Sequence, residues 1–80
     1  MQQFGDFLSN LRSNKGLTLE ELATLVGSNK STLSRLENND IPRPFKGPIR
    51  KLIIHLAQVL CTSNQETERY LSLAGIDIHY

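Results

Sequence analysis

Gly27-Ser28-Asn29-Lys30-Ser31-Thr32-Leu33-Ser34-Arg35-Leu36-Glu37-Asn38 is the stretch that decides how this chain is read. At about 100° per residue, a helix here puts Leu33 and Leu36 on one side, flanked by Asn29 and Glu37. Ser31, Ser34, Arg35 and Asn38 fall on the other side. An ordinary solvent face mixes Glu with Lys. This one carries hydroxyls, an amide and a guanidinium, with no acid at its centre. Such a face donates and accepts hydrogen bonds and lets a second polar surface approach closely.

Upstream, Leu17-Thr18-Leu19-Glu20-Glu21-Leu22 reads as a helix start. Thr18 is the N-cap, Glu21 completes a capping box, and Leu17 and Leu22 are placed as a hydrophobic staple. The helix predicted over 19–26 turns Leu22, Ala23 and Val26 inward, and Gly27 supplies the positive φ of a tight reversal. Asn29 caps the next helix, over 30–38. Two short helices joined this tightly, with a small Ala23 between them, cross steeply and closely.

The flanks complete the pattern. Phe4, Phe7, Leu8 and Leu11 predict a helix over 3–15, with Lys15 in its last turn and Gly16 just beyond. Residues 38–47 form a loop stiffened by Pro42 and Pro44, with Phe45 or Ile41 pinning it to the core. Pro48 opens a helix over 48–60, striped by Ile49, Leu52, Ile53, Leu56 and Leu60. Ser63-Asn64-Gln65-Glu66 reads as a second capping box, opening a helix over 64–74 that Gly75 stops. Tyr70, Leu71, Leu73 and Ala74 face inward, and Ile76, Ile78 and Tyr80 form an apolar tail. No stretch alternates as a strand does. The expected fold is all-α, five helices in a single domain over 1–80.

Composition narrows the function classes. Five aromatics and no Trp in 80 residues argue against a large ligand pocket. The single cysteine, Cys61, permits no internal disulfide and fits a reducing cytoplasm as a small core residue. The start shows no signal-peptide pattern. The longest apolar run, Leu52 to Leu60, falls far short of the roughly 18–20 residues that span a bilayer. Net charge is +1, but it is unevenly spread. Residues 30–51 carry six basic and two acidic residues, a local +4, and the remainder carries −3. His55 and His79 stand apart from any ligand cluster, so no metal is expected. No nucleophile–base pair and no glycine-rich phosphate loop is evident, so neither catalysis nor a cofactor is expected.

The run Leu17-Thr18-Leu19-Glu20-Glu21-Leu22-Ala23, then Val26-Gly27, then Ser31-Thr32-Leu33-Ser34-Arg35-Leu36-Glu37-Asn38 resembles the phage repressor/Cro-type (XRE-type) helix-turn-helix family. The likeness extends more loosely from Phe4 to Leu60, and Tyr70–Gly75 is similar to the fifth helix of many such domains. The resemblance implies a compact five-helix, lambda-repressor-like domain that binds double-stranded DNA, usually as a symmetric homodimer on a palindromic operator. Two positions depart from the family. Leu19 stands where a phosphate-contacting Gln is common, and Ser28 where the turn usually carries an apolar residue.

Carried over by position, the recognition helix is 29–38. Lys30, Ser31 and Arg35 match base-facing positions, and Thr32, Ser34 and Asn38 match positions nearer the phosphates or base edges. Ser34 is grouped with the base contacts; Thr18, Asn29, Thr32 and Asn38 with the backbone contacts. Arg12 and Glu37 match a pair that in some members forms a buried salt bridge. Arg43, Lys46 and Arg50 follow the recognition helix, where the chain would run beside the DNA backbone. The expected function is sequence-specific DNA binding by a cytoplasmic transcriptional regulator, a repressor, with no membrane partner. The competing class is an antitoxin-like protein-interaction module of the same shape. The chain could equally be the DNA-binding piece of a larger regulator; its tail, Ile76–Tyr80, could form a dimer contact together with the apolar edge of helix 64–74 or equally fold back on helix 3–15.

Overall fold

Three of the five described helices begin where a side chain supplies a missing backbone partner, and four end where the backbone turns back to supply its own. The computed structural model describes residues 3–76 and has α1 (Phe4–Asn14), α2 (Leu19–Val26), α3 (Lys30–Glu37), α4 (Pro48–Leu60) and α5 (Asn64–Ala74). Among the described residues there is no strand. Ile78, His79 and Tyr80, and the contacts expected of them, lie outside the described residues. Ile76 is buried in the core, so this part of the apolar tail faces its own domain.

The caps show how local sequence fixes the elements. Thr18 Oγ1 accepts the Glu21 N–H at 3.1 Å, and Glu21 Oε1 accepts the Thr18 N–H at 2.9 Å, a reciprocal box. Asn29 Oδ1 accepts the Thr32 N–H at 2.9 Å. The box expected at Ser63 is only half formed. Ser63 Oγ accepts the Glu66 N–H, but the Glu66 carboxylate reaches past Ser63 to the N–H of Thr62 at 2.8 Å and also contacts its hydroxyl. At Thr62, one residue further back, the carboxylate meets an amide and a hydroxyl donor together, while the Ser63 oxygen is occupied by the Glu66 N–H. Three bounds also differ from the periodicity. Gln3 and Lys15 cap α1 from outside it, and Asn38 caps α3: each still shares one helical hydrogen bond, but its backbone leaves the helical dihedrals, with ψ at 164°, 0° and 3°.

Four helices end alike. Gly16, Gly27, Asn39 and Gly75 each adopt a left-handed conformation after α1, α2, α3 and α5. The next residue then donates back across the turn: Leu17 to Arg12, Ser28 to Ala23, Asp40 to Arg35, Ile76 to Leu71. This pairing satisfies carbonyls that the helix itself leaves open.

The core is built from Phe4, Leu8, Leu22, Leu33, Leu36, Ile53, Leu56, Leu60 and Tyr70, all almost wholly inaccessible. Phe4 meets the Tyr70 ring edge-on at 5.0 Å and Phe45 at 5.6 Å, so buried Phe45 ties the long loop to α1, and Phe4 ties α1 to α5. Ile41 is half-buried beside it. The Tyr70 hydroxyl donates to the Ile53 carbonyl at 2.7 Å, stitching α5 to α4. Burial of that hydroxyl raises its pKa well above the ordinary tyrosine value. Cys61 is half-buried at the end of α4, where burial pushes its thiol up against the lowering effect of Thr67. Around this core α1 and α2 both pack on α3, while α4 packs on α2 and α5. None of the described helices is long and apolar enough to cross a membrane.

Candidate nucleic-acid interface

The α2–turn–α3 unit presents one polar helix face on a rigid apolar base. Gly27, at φ 67°, reverses the chain after α2. Asn29 then starts α3, and Leu33 and Leu36, at 0% and 1% exposure, lock it onto the core. The faces fall as the helical period requires. Lys30, Ser31, Arg35 and Asn38 are exposed, and Thr32 and Ser34 are half-buried along the edge. The first turn of α3 holds no acid, and the guanidinium of Arg35 has no ion-pair partner among the described residues.

Other site residues are partly engaged. Lys30 Nζ lies 3.7 Å from Glu20 Oε1 of α2, both highly exposed, so the pair is weak and easily exchanged. Asn38 Nδ2 reaches Ser34 Oγ at 3.5 Å, the outer limit of a hydrogen bond. Asn29 spends its carbonyl oxygen on the Thr32 amide, and Thr18 spends an oxygen lone pair on Glu21. The Thr18 hydroxyl keeps a hydrogen to donate outward.

The basic residues after α3 separate into two places. Lys46 and Arg50 are exposed at the start of α4. The Arg43 guanidinium instead lies over the Phe45 and Phe4 rings, 5.2 and 5.9 Å from their centroids. A cation held on aromatic faces is less free to reach outward. A groove of about 410 Å³ between the turn and α4 brings Ser28 and Thr32 together with Pro48, Lys51 and His55. Lys51 was not singled out from the sequence. Its signal was its position one turn before His55 on α4 and just beside the inward stripe.

Behind the face, α1 braces α3. Arg12 Nε donates to Glu37 Oε2 at 2.7 Å and Nη2 to Oε1 at 3.1 Å, a two-pronged pair. Its Nη1 donates to the Leu17 carbonyl at 2.7 Å. The hydrogen bond to Glu37 raises the Arg12 pKa despite partial burial. Leu19, where a phosphate-binding side chain would have been polar, is half-buried against the core. Among the described residues no three His, Cys, Asp or Glu side chains gather as metal ligands.

A family model described as a helix-turn-helix domain matches residues 3–70 of the chain, from the cap of α1 to Tyr70 of α5. No curated protein and no solved structure matches it.

Proposed function

The chain belongs to the helix-turn-helix domain family, and from that premise we propose that it reads duplex DNA by sequence, as a transcriptional repressor of the phage repressor/Cro type. One observation carries the reading: the exposed, acid-free face of α3 held on buried Leu33 and Leu36. The major groove of B-DNA, about 12 Å wide, admits a helix and shows a distinct pattern for each base pair. Arg35 fits the O6 and N7 of a guanine in two-pronged fashion. Ser31 and Ser34 reach base edges with weak preference, and Lys30 exchanges Glu20 for a base or a phosphate. Thr18, Asn29, Thr32, Asn38, Lys46 and Arg50 hold the duplex backbone and fix the register, with Arg43 a peripheral member. The amides at the starts of α2 and α4 add to the attraction for phosphate. In this reading the protein is cytoplasmic, does no catalysis, and doubles its contacts as a homodimer on half-sites about 34 Å apart.

Selection of bound duplexes from a random pool tests the reading. A recovered motif with two-fold symmetry supports it, and Arg35→Ala then relaxes preference at one base position of each half-site. A pool with no enriched motif overturns it. The chain then reverts to an antitoxin-like protein-binding module, the reading that the 57% exposure of Leu25 on α2 favours.

A further inference from the structure

Of the four left-handed helix ends, three use glycine and the fourth, after α3, uses Asn39 at φ 59°. Side chains are disfavoured in this region, and Asn is tolerated better than most. Here the side chain has a partner that glycine could not supply. Its Oδ1 accepts the N–H of Gly5 at 2.9 Å. Gly5 is the second residue of α1, and no carbonyl inside the helix can serve its amide.

Position 5 leaves no room for a side chain. A Cβ there would collide with the Glu37 carbonyl oxygen and stand 2.6 Å from that of Leu36 and 2.8 Å from Asn39 Oδ1. The start of α1 therefore abuts the end of α3, where their opposite dipole ends attract. About two turns along, α1 grips the same last turn of α3 through Arg12 and Glu37. The first turn of α3 is held instead by its own cap, the exposed Lys30–Glu20 pair and the apolar packing of Leu33, with no such polar grip from α1 among the described residues.

We propose that the Gly5–Asn39 junction is a positioning device: it fixes the angle of α3 to the duplex and so sharpens discrimination between DNA sequences. This rests on the DNA-binding reading above. Without the bond, α3 stays folded but pivots on Arg12–Glu37, and contacts that depend on direction suffer first. Contacts to the even charge of the phosphates do not.

Asn39→Gly keeps the left-handed turn and removes the acceptor, so it folds. Asn39→Asp keeps the acceptor. For each, hydrogen exchange of the Gly5 amide is measured alongside affinity for a selected duplex and for a random one. In Asn39→Gly the Gly5 amide should exchange about tenfold faster, and the ratio of the two affinities should fall about three- to tenfold, both within the worth of one such bond. Asn39→Asp should restore both; its added charge weakens the two duplexes alike and leaves the ratio in place. An unchanged Gly5 exchange rate in Asn39→Gly overturns the junction. Faster exchange with an unchanged ratio reduces it to a fold contact and overturns its positioning role. A wild-type chain that binds both duplexes equally overturns the DNA reading itself, whatever the Gly5 amide does.

Discussion

Helices α3 and α5 are built with the same local devices and turn different faces to solvent. Each starts at a side chain, Asn29 or Ser63, that accepts the amide three residues on, and each is followed by a left-handed residue, Asn39 or Gly75. Each buries an apolar stripe: Leu33 and Leu36 in one, Tyr70, Leu71 and Ala74 in the other. Outward, α5 shows Gln65, Glu68, Arg69 and Ser72, the mixture of signs usual on a surface. α3 shows Lys30, Ser31 and Arg35. Caps and buried stripes explain why a helix forms there. What the helix touches is written only on the residues that neither cap nor pack.

The residue beneath the α3 face carries the largest expected effect. Leu33→Ala should lower folding stability by about 2–5 kcal/mol in chemical denaturation, because it opens a cavity under α3 at a wholly buried site. Next comes the outward pair. Arg35→Ala should weaken binding to a selected duplex by about 1–3 kcal/mol with denaturation unchanged. Arg69→Ala on α5 should leave binding alone and cost a little stability, since its guanidinium lies 5.9 Å from the Phe7 ring centroid. Equal losses of binding from the two arginines would erase the distinction between the helices. Tyr70→Phe should cost about 1 kcal/mol of stability by removing the buried hydroxyl's bond to the Ile53 carbonyl, and should not alter DNA affinity. The smallest effect sharpens the picture of the backbone contacts: Lys46→Ala should weaken all duplexes alike and flatten the salt dependence by about one unit of slope.

Much of the fold was legible because its signals are local. The Thr18–Glu21 box, Gly27, Pro48 and the apolar stripes lie within a few residues of what they determine. The Glu66 carboxylate went elsewhere because Thr62 offered it a second donor, a choice that residue spacing does not encode. The outward face of α3 was legible from its period. The Arg12–Glu37 pair was suggested only by family likeness, and the Gly5–Asn39 contact not at all. Their partners are 25 and 34 residues apart, so only the packing of α1 on α3 brings them together. Arg43 was grouped with Lys46 by proximity in sequence, yet the loop lays its guanidinium over the Phe4 and Phe45 rings.

The division of labour within α3 has an evolutionary consequence. Leu33, Leu36 and Glu37 bear the weight of the fold, whereas Ser31 and Arg35 support nothing beneath them. Exchanging such unburdened surface side chains generally shifts stability by no more than about 0.5 kcal/mol. On the DNA-reading role proposed above, a lineage descended from this protein can therefore drift to new target sequences by single substitutions, without first acquiring mutations that shore up the domain.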